Sequence, residues 1–203
     1  MSFAELPESV HTLLAAFSFV LGAMAGSFGN VCVHRLPRGI SVVTPRSRCP
    51  KCENAIAWYD NIPILSWLVL GARCRKCSAP ISWQYPLVEA ITGLLFLLIF
   101  WRFGIVVATP IYMLLAASLV VATFVDLTDW TIPNEITVPG VFIGIGCSVV
   151  GMVYPESGLQ VTSPFMAIGG AALGFAIPYL LDKGALLVLG KRGMGMGDAK
   201  LLA

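Results

Sequence analysis

The sequence predicts an all-α, polytopic helical membrane protein with a small zinc-knuckle loop domain. Three observations predict it. Hydrophobic residues make up 57% of the 203 and charged residues only 12%, against about 25% charged in an average soluble domain; mean hydropathy is +0.83. Apolar runs long enough to cross a bilayer, about 20 residues each, fall at 10–33, 86–103, 105–125, 134–154 and 164–190. Between the first two runs lies a polar segment holding two Cys-x-x-Cys pairs, Cys49/Cys52 and Cys74/Cys77.

The first run contains Gly22, Gly26, Ser27, Gly29 and Asn30, small and polar residues that let helices approach closely in lipid. Glu5 and Glu8 stand where a cleavable signal would carry basic residues, so this run reads as a span. Arg102-Phe103-Gly104 is a tight turn between the second and third runs. Pro133 suits the first turn of the fourth helix, where its missing N–H costs nothing. Pro178 predicts a kink in the fifth run, and Asp182-Lys183 mark its exit from the bilayer. No internal repeat or low-complexity tract is expected.

The segment 34–85 carries eight basic residues, Arg35, Arg38, Arg46, Arg48, Lys51, Arg73, Arg75 and Lys76, opposed by Glu53 and Asp60. Beside spanning helices this pattern reads as positive-inside rather than as a nucleic-acid patch, so nucleic acid is not an expected partner and the lipid bilayer is. With 34–85 on the cytoplasmic side, the second span runs outward, the third inward, the fourth outward and the fifth inward. Asp126 and Asp198 then fall on the same face.

Intramembrane carboxylates are costly and mark function by default. Two of them sharing a proton form the acid–base pair of an aspartic protease, one activating water while the other donates to the carbonyl. Gly193, Gly195 and Gly197 before Asp198 let the backbone approach a substrate strand. The plainer reading is that both acids merely sit at helix ends. Asp129, three residues from Asp126, reads as interfacial; Glu89 reads as hydrogen-bonded in the core, and His34 as interfacial.

The cysteine pairs are separated by 21 residues. Four thiolates on two short turns suit tetrahedral, structural Zn²⁺, with Cys49, Cys52, Cys74 and Cys77 as ligands. Pro50, Lys51, Arg75 and Lys76 within the knuckles would help offset the doubly negative centre. A redox dithiol and a pair of disulfides are the competing readings, disfavoured in a reducing compartment. Cys32 and Cys147 read as packing residues.

The frames Asp126-Leu-Thr-Asp-Trp-Thr-Ile-Pro133 and Gly195-Met-Gly-Asp198 resemble those of the type IV prepilin peptidases, intramembrane GxGD aspartic proteases. Gly26-Ser-Phe-Gly-Asn-Val-Cys-Val-His-Arg-Leu-Pro37, Pro45-Arg-Ser-Arg-Cys-Pro-Lys-Cys52, Trp58-Tyr-Asp-Asn-Ile-Pro63 and Tyr85-Pro-Leu-Val-Glu89 are similar to the bifunctional bacterial members, in the same order along the chain. The resemblance implies a leader peptidase of the bacterial inner membrane, serving type IV pilus and type II secretion systems. It would cut prepilins and pseudopilins at the cytoplasmic face, then N-methylate the new N-terminus from S-adenosylmethionine. Asp126 and Asp198 stand at the family's catalytic positions. The implied division is 1–33 first span, 34–85 zinc loop of the methyltransferase part, and 86–203 peptidase membrane domain. No Gly-rich methyl-donor fingerprint is present, so no residues are assigned to that donor.

Two departures from the family pattern carry expectations. Gly29 replaces a larger apolar residue, which predicts a looser helix contact. Family members continue past the position of Ala203, so Asp198 is expected on an unanchored tail of a truncated chain that binds zinc but cleaves poorly. The alternatives from other classes are a zinc-containing membrane scaffold and a proton-coupled transporter; carboxylates at one face rather than at the midplane argue against transport.

Overall fold

The computed structural model describes residues 7–160, 163–190 and 195–203. Seven α-helices form among them: α1 (Glu8–Arg35), α2 (Leu65–Val69), α3 (Gln84–Phe103), α4 (Ala108–Asp129), α5 (Asn134–Val153), α6 (Pro164–Leu189) and α7 (Met196–Leu202). No strand forms among the described residues, only two isolated bridges. Five helices, all but α2 and α7, are long and apolar enough to cross a membrane. The fold class and spans expected from hydropathy therefore hold.

The helices divide into two compact units, one of residues 1–105 with 109–124 and one of 106–108 with 125–203. In the first, α1 and α3 pack along a stripe of small residues. Ala15, Ser18, Gly22, Gly26, Gly29 and Asn30 of α1 are buried, while Leu13, Phe17, Val20, Met24 and Phe28 face outward. Large apolar residues outside and small ones inside suit a span, because lipid tails solvate Leu and Phe while close backbone approach supplies the helix contact. A Cβ on Gly22 would lie 2.6 Å from the Thr92 carbonyl oxygen and 2.8 Å from Gly93 Cα. Gly29 is likewise tight rather than loose: a Cβ there would meet Val121 Cγ2 at 3.2 Å. The missing side chain lets α4 come closer, correcting the expected loosening.

Gly104 ends α3 at φ +68°, its N–H bonded to the Phe100 carbonyl at 2.8 Å. This left-handed region favours glycine, and it makes the tight turn to α4 possible. In the second unit α5, α6 and α7 pack on one another. Pro133 caps α5 from outside the helix, one position earlier than expected. Pro178 lies inside α6, and the helix runs on past Asp182-Lys183 to Leu189.

The 34–85 segment contains a repeat that the sequence reading missed. Arg48-Cys-Pro-Lys-Cys-Glu-Asn-Ala-Ile56 and Arg73-Cys-Arg-Lys-Cys-Ser-Ala-Pro-Ile81 fold identically. In each, the first cysteine N–H donates to a carbonyl five residues on (Asn54, 3.0 Å; Ala79, 2.8 Å), and its carbonyl accepts from Glu53 or Ser78 at 2.9 Å. Glu53 and Ser78 take matching positive φ, 54° and 56°. Different residue types at the turn positions hide the repeat from a composition-based search.

Candidate active site and metal centre

Asp126 lies in the last turn of α4, where its carbonyl accepts the Trp130 N–H at 3.0 Å. Trp130 adopts φ +54°, an uncommon conformation for a bulky residue, and the chain turns there toward α5. Asp198 is in the first turn of α7, where its Oδ2 accepts the Gly195 N–H at 3.1 Å. A carboxylate at this position satisfies an orphan amide of the helix start.

Both aspartates line one cavity of about 580 Å³, with Trp130, Thr131, Ile132, Asn134, Gly195, Gly197 and Lys200. Both are partly buried. Gly197 fits closely here: a Cβ there would lie 3.0 Å from Ile132 Cβ. Lys200 Nζ donates to Asn134 Oδ1 at 2.8 Å. Asp198 therefore does not sit on a loose end. Ala199 is 2% exposed, and Gly174 of α6 meets the Leu202 carbonyl, so α7 is held on both sides. Gly193, like Lys191 and Arg192, lies outside the described residues. Asp129 does not line the cavity; its Oδ2 accepts from Thr128 at 3.2 Å. Asn134, Lys200 and Trp130 were not singled out from sequence, although Asn134 and Lys200 stand just beyond the two diagnostic frames.

The second cluster is in the loop. The four Sγ atoms of Cys49, Cys52, Cys74 and Cys77 lie within 4.8 Å of one another, and Cys49 Sγ is 3.8 Å from Cys77 Sγ. A tetrahedron with Zn–S bonds of about 2.3 Å has S···S edges of about 3.8 Å, whereas a disulfide needs about 2.05 Å. All six cysteines are free. The donor set fits zinc.

Backbone N–H groups turned toward the sulfurs add to the fit. Those of Cys52 and Lys51, with help from the Cys74 and Cys52 thiols, pull the Cys49 thiol down to about 6. Those of Cys77 and Lys76 lower Cys74 in the same way. Cys77 has one such helper in the Ala79 N–H, but burial and the Cys52, Cys74 and Cys49 thiols push it up to about 11. Arg75 has a carboxylate partner of its own within the loop. It forks onto Asp60, with Nη2–Oδ1 2.6 Å and Nε–Oδ2 2.9 Å, and stacks over Tyr59 at 5.7 Å. Those bonds hold the Asp60 carboxyl below the usual carboxylate range.

Glu89 of α3, 7% exposed, accepts the backbone N–H of Ile64 at 2.7 Å, as its expected hydrogen-bonding role required. Ile64 stands at φ +62°, so this bond holds a strained residue immediately before α2. His34 Nε2 and Tyr85 Oη are 3.0 Å apart, at the loop end of α1 and α3.

The family model for the bacterial peptidase A24 N-terminal domain matches residues 20–103, and that of the type IV leader peptidase family matches 113–203. Relatives named prepilin leader peptidase/N-methyltransferase include one from Myxococcus xanthus, 42% identical over all of this chain and 58% of its own length. One from Aeromonas hydrophila is 35% identical over 98% of this chain and 74% of its own length. A third, from Klebsiella pneumoniae, is 34% identical over 100% and 89%. The chain thus spans less than two thirds of the Myxococcus relative. No solved structure gives a significant match. The chain belongs to the type IV leader peptidase family.

Proposed function

We propose that this chain carries the machinery to cleave leader peptides from prepilins and pseudopilins at the cytoplasmic face of the bacterial inner membrane. Asp126 and Asp198 form the catalytic pair. With one proton between them, the ionised carboxylate takes a proton from water as it attacks the scissile carbonyl, and the protonated partner donates to the carbonyl oxygen. Collapse of the tetrahedral intermediate then returns a proton to the leaving amine. An aspartic-protease pair supplies both the acid and the base of this step. Gly195, exposed beside Asp198, leaves room for a substrate strand, while Gly197 lets the turn close on Ile132. The observation that carries this reading is that both acids line one cavity.

The relatives' names support a second step, N-methylation of the new terminus. S-adenosylmethionine would supply an electrophilic methyl group as co-substrate. Zinc held by Cys49, Cys52, Cys74 and Cys77 would be structural, because four thiolates would leave no position open for chemistry.

Mass spectrometry of a prepilin incubated with the membrane-reconstituted enzyme and methyl donor tests both steps. Loss of the leader and gain of one methyl are expected. Asp126→Asn or Asp198→Asn should reduce cleavage by roughly a hundredfold or more. Undiminished cleavage in either variant removes that aspartate from the mechanism.

A further inference from the structure

The short helix α2 is amphipathic in the wrong sense for a water-exposed loop. Leu65, Leu68 and Val69, which share one helical face, are 59%, 60% and 79% exposed. The opposite side is tied inward. Trp67 Nε1 donates to the Ile81 carbonyl at 3.2 Å, and Ser66 Oγ donates to the Tyr59 carbonyl at 3.1 Å and accepts from the Ile62 N–H at 2.9 Å. The adjoining turn adds Trp58, 81% exposed, and Ile62. Clustered exposed apolar residues of this size mark an interaction surface.

The depth of α2 identifies what covers it. Its first residue follows Ile64, whose N–H is bonded to Glu89 in the second turn of the span α3, and Gly26 of α1 packs directly on Glu89, where a Cβ would lie 2.8 Å from Glu89 Cα. Gly26 is about 13 Å before the end of α1 at 1.5 Å per residue. The 28-residue α1 is about 42 Å long, against a hydrocarbon core of about 30 Å. Centred in the bilayer, it overhangs by about 6 Å at each end. The Glu89–Ile64 bond therefore fixes the start of α2 at the hydrocarbon edge or below it, where an outward apolar face meets acyl chains. Arg46, Arg48, Lys51, Arg73 and Lys76 on the two knuckles are all exposed. They bring a positive surface of the sign that acidic headgroups attract.

We infer that the outer face of α2, with Trp58 and Ile62, lies in the headgroup–acyl boundary of the leaflet on the loop's side, with the cationic knuckles against acidic lipid. The loop is thus a monotopic element clamped to the spans, its apolar side continuous with their lipid-facing surface. The inference does not depend on leader cleavage.

The test uses the whole chain in nanodiscs of phosphatidylcholine and phosphatidylglycerol, with and without acyl chains brominated near the headgroup. The difference between wild-type and Trp58→Phe emission isolates Trp58 without disturbing other tryptophans. That component should be blue-shifted and quenched about twofold or more by bromine. In a Leu68→Glu/Val69→Glu double variant with unchanged zinc content, the quenching should fall away. Water-like, unquenched Trp58 emission in the wild type overturns the inference. So does shielding that arises only when a prepilin is added, which would make the face a protein-docking surface. If the double variant loses zinc, the wild-type difference spectrum alone decides.

Discussion

Lys200 Nζ donates to Asn134 Oδ1 at 2.8 Å, joining α7 to the first residue of α5 on the rim of the cavity that holds Asp126 and Asp198. The pair spans the two sequence frames: Asn134 follows the Asp126 frame by one residue after Pro133, and Lys200 follows Asp198 by two. Its geometric effect is to hold Asp198 against the end of the Asp126 frame, as the close fit of Gly197 on Ile132 also does.

Removing either end should lower leader cleavage without abolishing it. A hydrogen bond from a charged donor contributes about 1.5–3 kcal/mol, and partial exposure reduces that. Asn134→Ala and Lys200→Ala should each slow turnover about tenfold. The double variant should be little slower than either single one, because they break the same bond. Additive losses in a double-mutant cycle would show that the two act separately.

Glu89 is predicted to fix the loop to the spans. Glu89→Ala leaves the Ile64 N–H without its acceptor, at a cost of about 1–3 kcal/mol, while Glu89→Gln retains an acceptor oxygen. Hydrogen exchange at residues 62–69 should speed up strongly in the alanine variant and only slightly in the glutamine variant. Equal exchange in both would mean that the carboxylate bond does not hold the segment.

Zinc binding should strengthen with pH. A group held up at about 11, as at Cys77, must lose its proton to ligate, whereas Cys49 at about 6 is already a thiolate above that pH. Between these two values at least one proton leaves on metal loading, so affinity should rise at least about tenfold per pH unit. Below about pH 6 Cys49 is protonated as well, and the slope should steepen. Competition with a chelator of known affinity at several pH values measures it, and a pH-independent affinity would be incompatible with thiolate ligation. Replacing Cys49 or Cys52 by Ser should release the metal.

The packing of α1 on α3 predicts opposite outcomes for two glycines. Gly22→Ala drives a methyl into the Thr92 carbonyl and Gly93 Cα, forcing the helices apart at a cost of about 1–3 kcal/mol. Gly144 of α5 has nothing within 4 Å of its would-be Cβ, so Gly144→Ala should be neutral or gain up to about 1 kcal/mol of helix propensity. Thermal unfolding in detergent separates the two, and equal shifts would dispose of the contact.

The spans were legible because hydropathy reports the solvent a helix must face, and five apolar runs needed no tertiary knowledge to identify. The cysteine quartet was legible because the Cys-x-x-Cys spacing is itself a local geometry. What stayed hidden depended on partners distant in sequence. Arg75 read as a counter-charge for the metal, with nothing in the sequence to place Asp60 within its reach. Gly29 read as a lost contact, yet the residue it accommodates, Val121, lies on another helix. The anchoring of Asp198 was invisible because it rests on Asn134 and on α6 rather than on its neighbours in sequence. The outward face of α2 escaped a hydropathy scan because five residues are too few to register as a span.

The matching folds of the two cysteine turns carry a consequence for how this region is assembled. Each hairpin contributes half the ligands, and neither has a hydrophobic centre of its own. A lone half would bind the ion weakly and stay open, so occupancy should switch on cooperatively with the closure of both. A bound ion would act as a keystone between two copies of one small building block, and a mutation in either copy should be felt by its twin.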